Sequence, residues 1–176
     1  MPIECYKDIL DKSDNEEIAT GKKWYSNANK RIQKLSLETG CSVETCAGIV
    51  AVLSPMVSWE LNFRTAERFL RTQGKSKGAG FRLNYHKAKE ILKGNSDVIR
   101  GPKVSRFYKT LLNPCYDEAV IDTWMIAAYY KGKAYRTDLS AYASNDRHLE
   151  PIRNAVKILA NDRKEYVGQT QAIIWL

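Results

Sequence analysis

The stretch Ala47-Gly-Ile-Val-Ala-Val-Leu-Ser-Pro55 limits the fold of this chain more than any other segment. A helix there is apolar on nearly every face, so other elements must enclose it. Ser42, in Ser42-Val-Glu-Thr, is a good N-cap for such a helix, and Pro55 marks its end. The segments available to wrap it are themselves periodic at the helical spacing. Trp24, Ala28, Ile32 and Leu35 fall three and four apart, with Gly40 as a stop. A helix over about 58–73 carries Leu61, Thr65 and Phe69 on one side and Arg64, Arg68 and Arg71 on another. GKSKGAG, 74–80, reads as a basic loop, 84–94 as a short helix with a Gly stop, and 95–113 as a turn followed by a helix from Pro102. Residues 119–130 read as a second buried helix with one acid inside it, and 149–160 and 164–175 complete the set. The β-branched residues sit inside helical patterns, and no Asn-Gly or Asp-Gly turn separates two alternating runs. The expected fold class is all-α. The expected organisation is an acidic arm over 1–20 and one helical domain over 21–176.

Charge narrows the partners. Lys and Arg number 28 against 20 acids, a net charge of +8 in 176 residues. The excess is not spread evenly. Residues 1–20 hold two lysines and six acids, whereas 64–109 hold thirteen Lys/Arg and three acids. A scattered +8 would serve solubility alone, but a concentrated basic segment points to a polyanion, nucleic acid first. No run nears the ~20 apolar residues of a membrane span, and MPIECYKDIL has no apolar core of a secretory signal. The expectation is a cytoplasmic protein, nucleoid-associated or in a host cytoplasm. Cys5, Cys41, Cys46 and Cys115 are then free thiols. They form no CxxC pair, so neither a structural metal nor an iron–sulfur cluster is expected.

Two features carry chemistry. Asp122 lies in AVIDTWMIAA, where an ionised carboxylate must be paired or must cap something. It is either a helix N-cap or a cleft residue that stabilises positive charge. The second feature is Gly101-Pro102-Lys103-Val104-Ser105-Arg106. A glycine before a helix start, among basic residues, is a phosphate-binding arrangement.

These motifs, in this order, resemble the helix-hairpin-helix DNA glycosylase superfamily, which includes the endonuclease-III-like and 8-oxoguanine glycosylases. Val52-Leu53-Ser54-Pro55-Met56 resembles the family's LS-x-Q segment. Lys87-Ala88-Lys89-Glu90-Ile91 with Gly101-Pro102-Lys103 resembles its KA-x-x-I helix and the later part of its LPG-x-G-x-K hairpin. Val120-Ile121-Asp122-Thr123-Trp124 resembles the V-D-T-H segment of its essential aspartate, and the match spans about 40–130. The resemblance implies a two-lobed helical bundle with the hairpin at about 84–113 and the aspartate helix at about 120–130. It implies duplex DNA as partner, a monomer, and cleavage of the N-glycosidic bond of a damaged or modified base. Asp122 would stabilise the oxocarbenium-like charge, and Lys103 would be a Schiff-base nucleophile or a phosphate contact. Gly101, Arg100, Ser105 and Arg106 would hold the strand, where hairpin carbonyls in the family often bind a monovalent cation. Met56 matches the side chain that fills the gap left by a flipped base. Trp59, Asn62, Trp124 and Gln169 would line the base pocket.

The sequence also departs from that pattern. Asp97-Val98-Ile99-Arg100 stands where the hairpin's leading LPG belongs, so the first hairpin helix is at best one turn. Trp124 replaces the V-D-T-H histidine, and the iron–sulfur branch's C-terminal cysteines are missing. The alternative expectation is therefore a non-catalytic base-recognition or DNA-binding module of the same fold, of the sort that accompanies phage thymine-hypermodification enzymes. His86 and His148, the only histidines, read as surface residues.

Overall fold

The computed structural model describes residues 3–76, 82–130 and 139–176. Residues 77–80 of the expected basic loop lie outside the described residues. Among the described residues there are ten α-helices and no strand, so the chain is all-α: α1 Ile3–Lys12, α2 Asn15–Thr39, α3 Val43–Leu53, α4 Trp59–Arg71, α5 Arg82–Leu92, α6 Pro102–Leu112, α7 Thr123–Tyr129, α8 Leu139–Ser144, α9 Asp146–Arg163 and α10 Val167–Trp175. No single helix among these residues is long and apolar enough to cross a membrane.

The chain divides into two compact units, and neither matches the expected boundary. One is contiguous, Ala28–Leu112; the other joins Met1–Asn27 to Asn113–Leu176. Sequence periodicity does not reveal such a division, because it reports which face is buried and not what buries it.

In the contiguous unit α3 is central, as its composition requires. Every residue from Cys46 to Leu53 is buried. The Ser42 side chain accepts a hydrogen bond from the Thr45 N–H at 3.1 Å, satisfying one orphan donor of the first turn. Helices α5 and α6 pack on α3. Gly48 permits this closeness: a Cβ there would stand 2.9 Å from Ile99 Cδ1 and 3.4 Å from Ile91 Cγ2. A single 3-10 turn, Ser96–Val98, precedes Gly101.

In the discontinuous unit the expected acidic arm is corrected. Residues 3–12 are helical, and Cys5, Tyr6 and Leu10 are buried. The Tyr6 hydroxyl donates to the Met125 carbonyl at 2.6 Å, and Tyr6 and Leu10 join a core with Ile121, Met125, Ile152 and Ile173. Acids on the outer face of an amphipathic helix had masked that apolar stripe. The expected helix over 119–130 is also shorter. Ala119, Val120 and Ile121 are buried but not helical, and α7 begins at Thr123.

Candidate nucleic-acid interface

The two units divide the charge sharply. Ala28–Leu112 holds sixteen Lys/Arg and six acids, net +10, while the remaining residues hold twelve Lys/Arg and fourteen acids, net −2. The basic unit also carries most of the residues that the sequence assigns to DNA contact.

Its first element is the turn after α3. Ser54 is buried, its hydroxyl donating to the Ala51 carbonyl at 2.8 Å. The chain then leaves the helix at Pro55 and reaches Met56, which is 80% exposed and holds φ at +61°. A non-glycine residue at positive φ is uncommon, and for a long side chain the conformation is strained by about 1 kcal/mol or more. A large apolar side chain is thus presented to solvent at an energetic cost. Met56 is therefore not the core methionine that the sequence equally allowed.

Trp59 and Asn62 follow on α4, and both are drawn into packing. Trp59 is half-buried, packed on Phe63 at 5.5 Å and Phe107 at 6.5 Å, with the Arg31 guanidinium 5.5 Å from its ring. Asn62 is buried. Its Nδ2 donates to the Val50 carbonyl at 3.1 Å, and its Oδ1 has no hydrogen-bond partner among the described residues.

The second element is the Gly101 turn. Gly101 has φ +98°, a conformation that favours glycine, and a Cβ there would meet nothing within 4 Å. The space on that side of the turn is open, at the start of α6. Arg100 is exposed beside it, with its Nε donating to the Asp97 carbonyl. Lys103 and Arg106 are half-buried, and Arg106 Nη1 donates to the Pro102 carbonyl at 3.1 Å. Ser105 is otherwise engaged. Its hydroxyl donates to the Gly101 carbonyl at 2.8 Å, which leaves no hydroxyl proton for a phosphate.

Asp122, Trp124 and Gln169 belong to the other unit. Asp122 has extended backbone and is the N-cap of α7, its Oδ1 accepting from the Met125 N–H at 2.9 Å. The capping reading of this residue therefore holds. The carboxylate is still half-exposed, so capping does not seal it away. Two buried phenols missed by sequence reasoning feel its charge. Burial first, then the Asp122 carboxylate, pushes Tyr6 far above the ordinary phenol range. The same two causes raise Tyr25, against an opposing hydrogen bond from its hydroxyl to Gln171 Oε1 at 2.7 Å. Both phenols stay protonated. Tyr6 had a legible signal, the Ile3, Tyr6, Leu10 spacing; the Tyr25–Gln171 pair, 146 residues apart, had none. Trp124 is 45% exposed. Gln169 is spent on backbone: Oε1 accepts from the Tyr166 N–H at 2.9 Å and Nε2 donates to the Lys22 carbonyl at 3.2 Å. Through these bonds it caps α10.

Among the described residues no group of three or more His, Cys, Asp or Glu side chains is placed to hold a metal ion. A protein-family model described as a family of unknown function (DUF7178) matches residues 5–176. No curated protein matches the chain. No solved structure matches it either.

Proposed function

We propose, for a chain that belongs to the DUF7178 family from residue 5 to residue 176, that its function is to bind duplex DNA and evert a base. In this reading the basic unit Ala28–Leu112 is an arrangement of helix-hairpin-helix glycosylase type. Its α5–α6 hairpin grips the strand, and the turn after α3 enters the base stack. The observation that carries the reading is the segregation of charge: a net +10 is gathered in the unit that also contains the Gly101 turn and Met56. Phosphates supply the affinity through counterion release, with Gly101, Arg100, Lys103 and Arg106 as strand contacts. Met56 fills the space of the everted nucleotide, and its exposure and strained backbone support that role.

Glycosidic-bond cleavage is the second reading, favoured by the half-exposed Asp122 carboxylate held rigidly at the start of α7. There the carboxylate stabilises the cationic sugar as the base departs. A Lys103 amine that attacks C1′ would add strand cleavage.

One panel tests both. Duplexes bearing uracil, hydroxymethyluracil, 8-oxoguanine, alkylated bases or hydroxymethylcytosine are incubated with the protein, and free base and salt-dependent affinity are measured. Binding that weakens steeply with salt supports the first reading, and Met56→Ala then loses the fluorescence rise of a 2-aminopurine placed at the everted position. No affinity for any duplex at 50 mM salt overturns it. Base release that Asp122→Asn abolishes, with affinity within a few-fold, supports the second; release at the wild-type rate by that variant refutes it. Borohydride trapping that needs Lys103 separates a lyase from a simple hydrolase.

A further inference from the structure

The basic unit has a second concentration of cations, away in sequence from the Gly101 turn. The chain reverses after α4 through two successive left-handed residues, Gln73 at φ +50° and Gly74 at φ +77°. The Gly74 N–H donates to the Phe69 carbonyl at 2.8 Å, and a Cβ on Gly74 would lie 3.3 Å from Leu92 Cδ1 and from the Phe69 ring. The turn is therefore pressed against the end of α5. It is ordered further by the Ser76 N–H, which donates to Thr72 Oγ1 at 3.0 Å. This packing sets Lys75 and Ser76 opposite one face of α5. On that face Arg82, His86 and Lys89 recur at the helical spacing. Together they line a cleft of about 250 Å³, room for a phosphate group and its sugar.

None of the described residues lining this cleft is acidic. Four other cations of the same unit are paired: Arg31 with Glu60, Lys34 with Glu38, Arg71 with Glu38 and Glu67, and Lys93 with Glu90. Glu90 is the one acid on α5, and the hydrogen bond from Lys93 holds its carboxyl below the usual carboxylate range. Lys75, Arg82 and Lys89 take part in no ion pair among the described residues. Three like charges around one concavity repel one another, and an anion placed between them relieves that repulsion.

We propose that this cleft is a phosphate-binding site in which Lys75, Arg82 and Lys89 neutralise the oxyanion while the Ser76 hydroxyl and the His86 ring complete its hydrogen bonds. The phosphate chemistry stands on the cleft alone. Its assignment to a phosphodiester of a bound DNA strand rests on the DNA-binding reading above.

The test compares the wild-type chain with a Lys75→Ala, Arg82→Ala, Lys89→Ala variant. A control removes three exposed cations of the other unit, Lys7→Ala, Lys23→Ala, Arg147→Ala. Two probes are used, a 20-bp duplex and inorganic pyrophosphate. Three lost phosphate contacts reduce the slope of log K against log salt by about 2.7, so the wild type loses about 40-fold more affinity than the variant between 50 and 200 mM salt. That loss in the cleft variant but not the control assigns the cleft to the strand. If no protein binds the duplex, the DNA reading fails, and pyrophosphate still reports on the cleft. Saturable shifts of the α5 amide resonances, absent from the cleft variant, then support a site for a free phosphorylated molecule. The proposal is overturned if the cleft variant and the control behave alike with both probes.

Discussion

Gly21→Ala tests how closely α2 and α10 approach within the discontinuous unit. A Cβ at Gly21 would stand 2.5 Å from Ile173 Cγ1 and 2.8 Å from both Cα and N of Ile173. Ordinary carbon–carbon contact begins near 3.5 Å, so the substitution demands a shift of about 0.7–1 Å. Ile173 is almost fully buried and two of the three clashes are with its backbone, so no rotamer change relieves them. Helix α10 itself must move, at an overpacking cost of about 3 kcal/mol, the upper end of the usual range. Alanine in place of glycine returns about 1 kcal/mol of helix propensity. The net destabilisation is about 2 kcal/mol. With an m-value of about 2 kcal/mol/M, the urea midpoint followed by far-UV circular dichroism falls by about 1 M. Gly48→Ala is the matched comparison, because its nearest obstacle is the tip of Ile99, a side chain able to turn away. A smaller loss is expected there. An unchanged or raised midpoint for Gly21→Ala, or a larger loss for Gly48→Ala, would refute the reasoning.

Three further outcomes are expected. Asp122→Ala costs about 1 kcal/mol of stability by removing the cap on the Met125 N–H, whereas Asp122→Asn retains an N-cap and keeps the thermal midpoint within a few degrees; equal losses would mean the charge and not the cap matters. Glu165 is raised by burial but lowered more by its hydrogen bonds from Arg163, Thr170 and Lys22, so its carboxyl lies below the usual range. A depressed carboxyl contributes stability above its unfolded value of about 4.3 and loses it as pH falls through the folded value; Glu165→Gln therefore destabilises at pH 7, and the gap from wild type closes on acidification below the ordinary carboxylate range in thermal melts. Cys46 is fully buried and burial pushes its thiol up to about 11, while Cys115 is exposed; at pH 8 iodoacetamide labels Cys115 and spares Cys46 in the folded protein, as read by peptide mass spectrometry.

Much of the helical layout was legible because it rests on local chemistry. Ser42 and the apolar run after it mark α3, Pro102 marks the start of α6, and Gly40 and Gly94 stand at positive φ just past the ends of α2 and α5. What escaped was long-range. Val120 and Ile121 continue the apolar pattern toward α7 yet are buried as extended chain, so pattern alone drew the helix too long. The first helix hid behind its acids, and its burial depends on a core supplied by residues more than a hundred positions away. Of the candidate site, the basic segment, Gly101 and Met56 were readable because charge density, a helix start and a broken helix leave local marks. The engagement of Gln169, Ser105 and Asn62 was not, since a polar side chain carries no sign of whether its partner is a ligand or a nearby carbonyl. The cleft between Lys75 and α5 depends on the reversal at Gln73 and Gly74, which brings together cations that in sequence are merely spread along a basic stretch.

The core joining Tyr6 and Leu10 to Ile121, Met125 and Ile173 has a consequence for the order of assembly during synthesis. Every residue of Ala28–Leu112 leaves the ribosome before Asn113 does, so that unit can close on itself while translation continues. The first 27 residues instead wait with their apolar stripe uncovered until their partners are made, an interval of roughly 4–30 s at ordinary elongation rates. The six acids among the first twenty residues then have work to do before folding ends: they keep a nascent segment dissolved while it awaits the far end of its own chain.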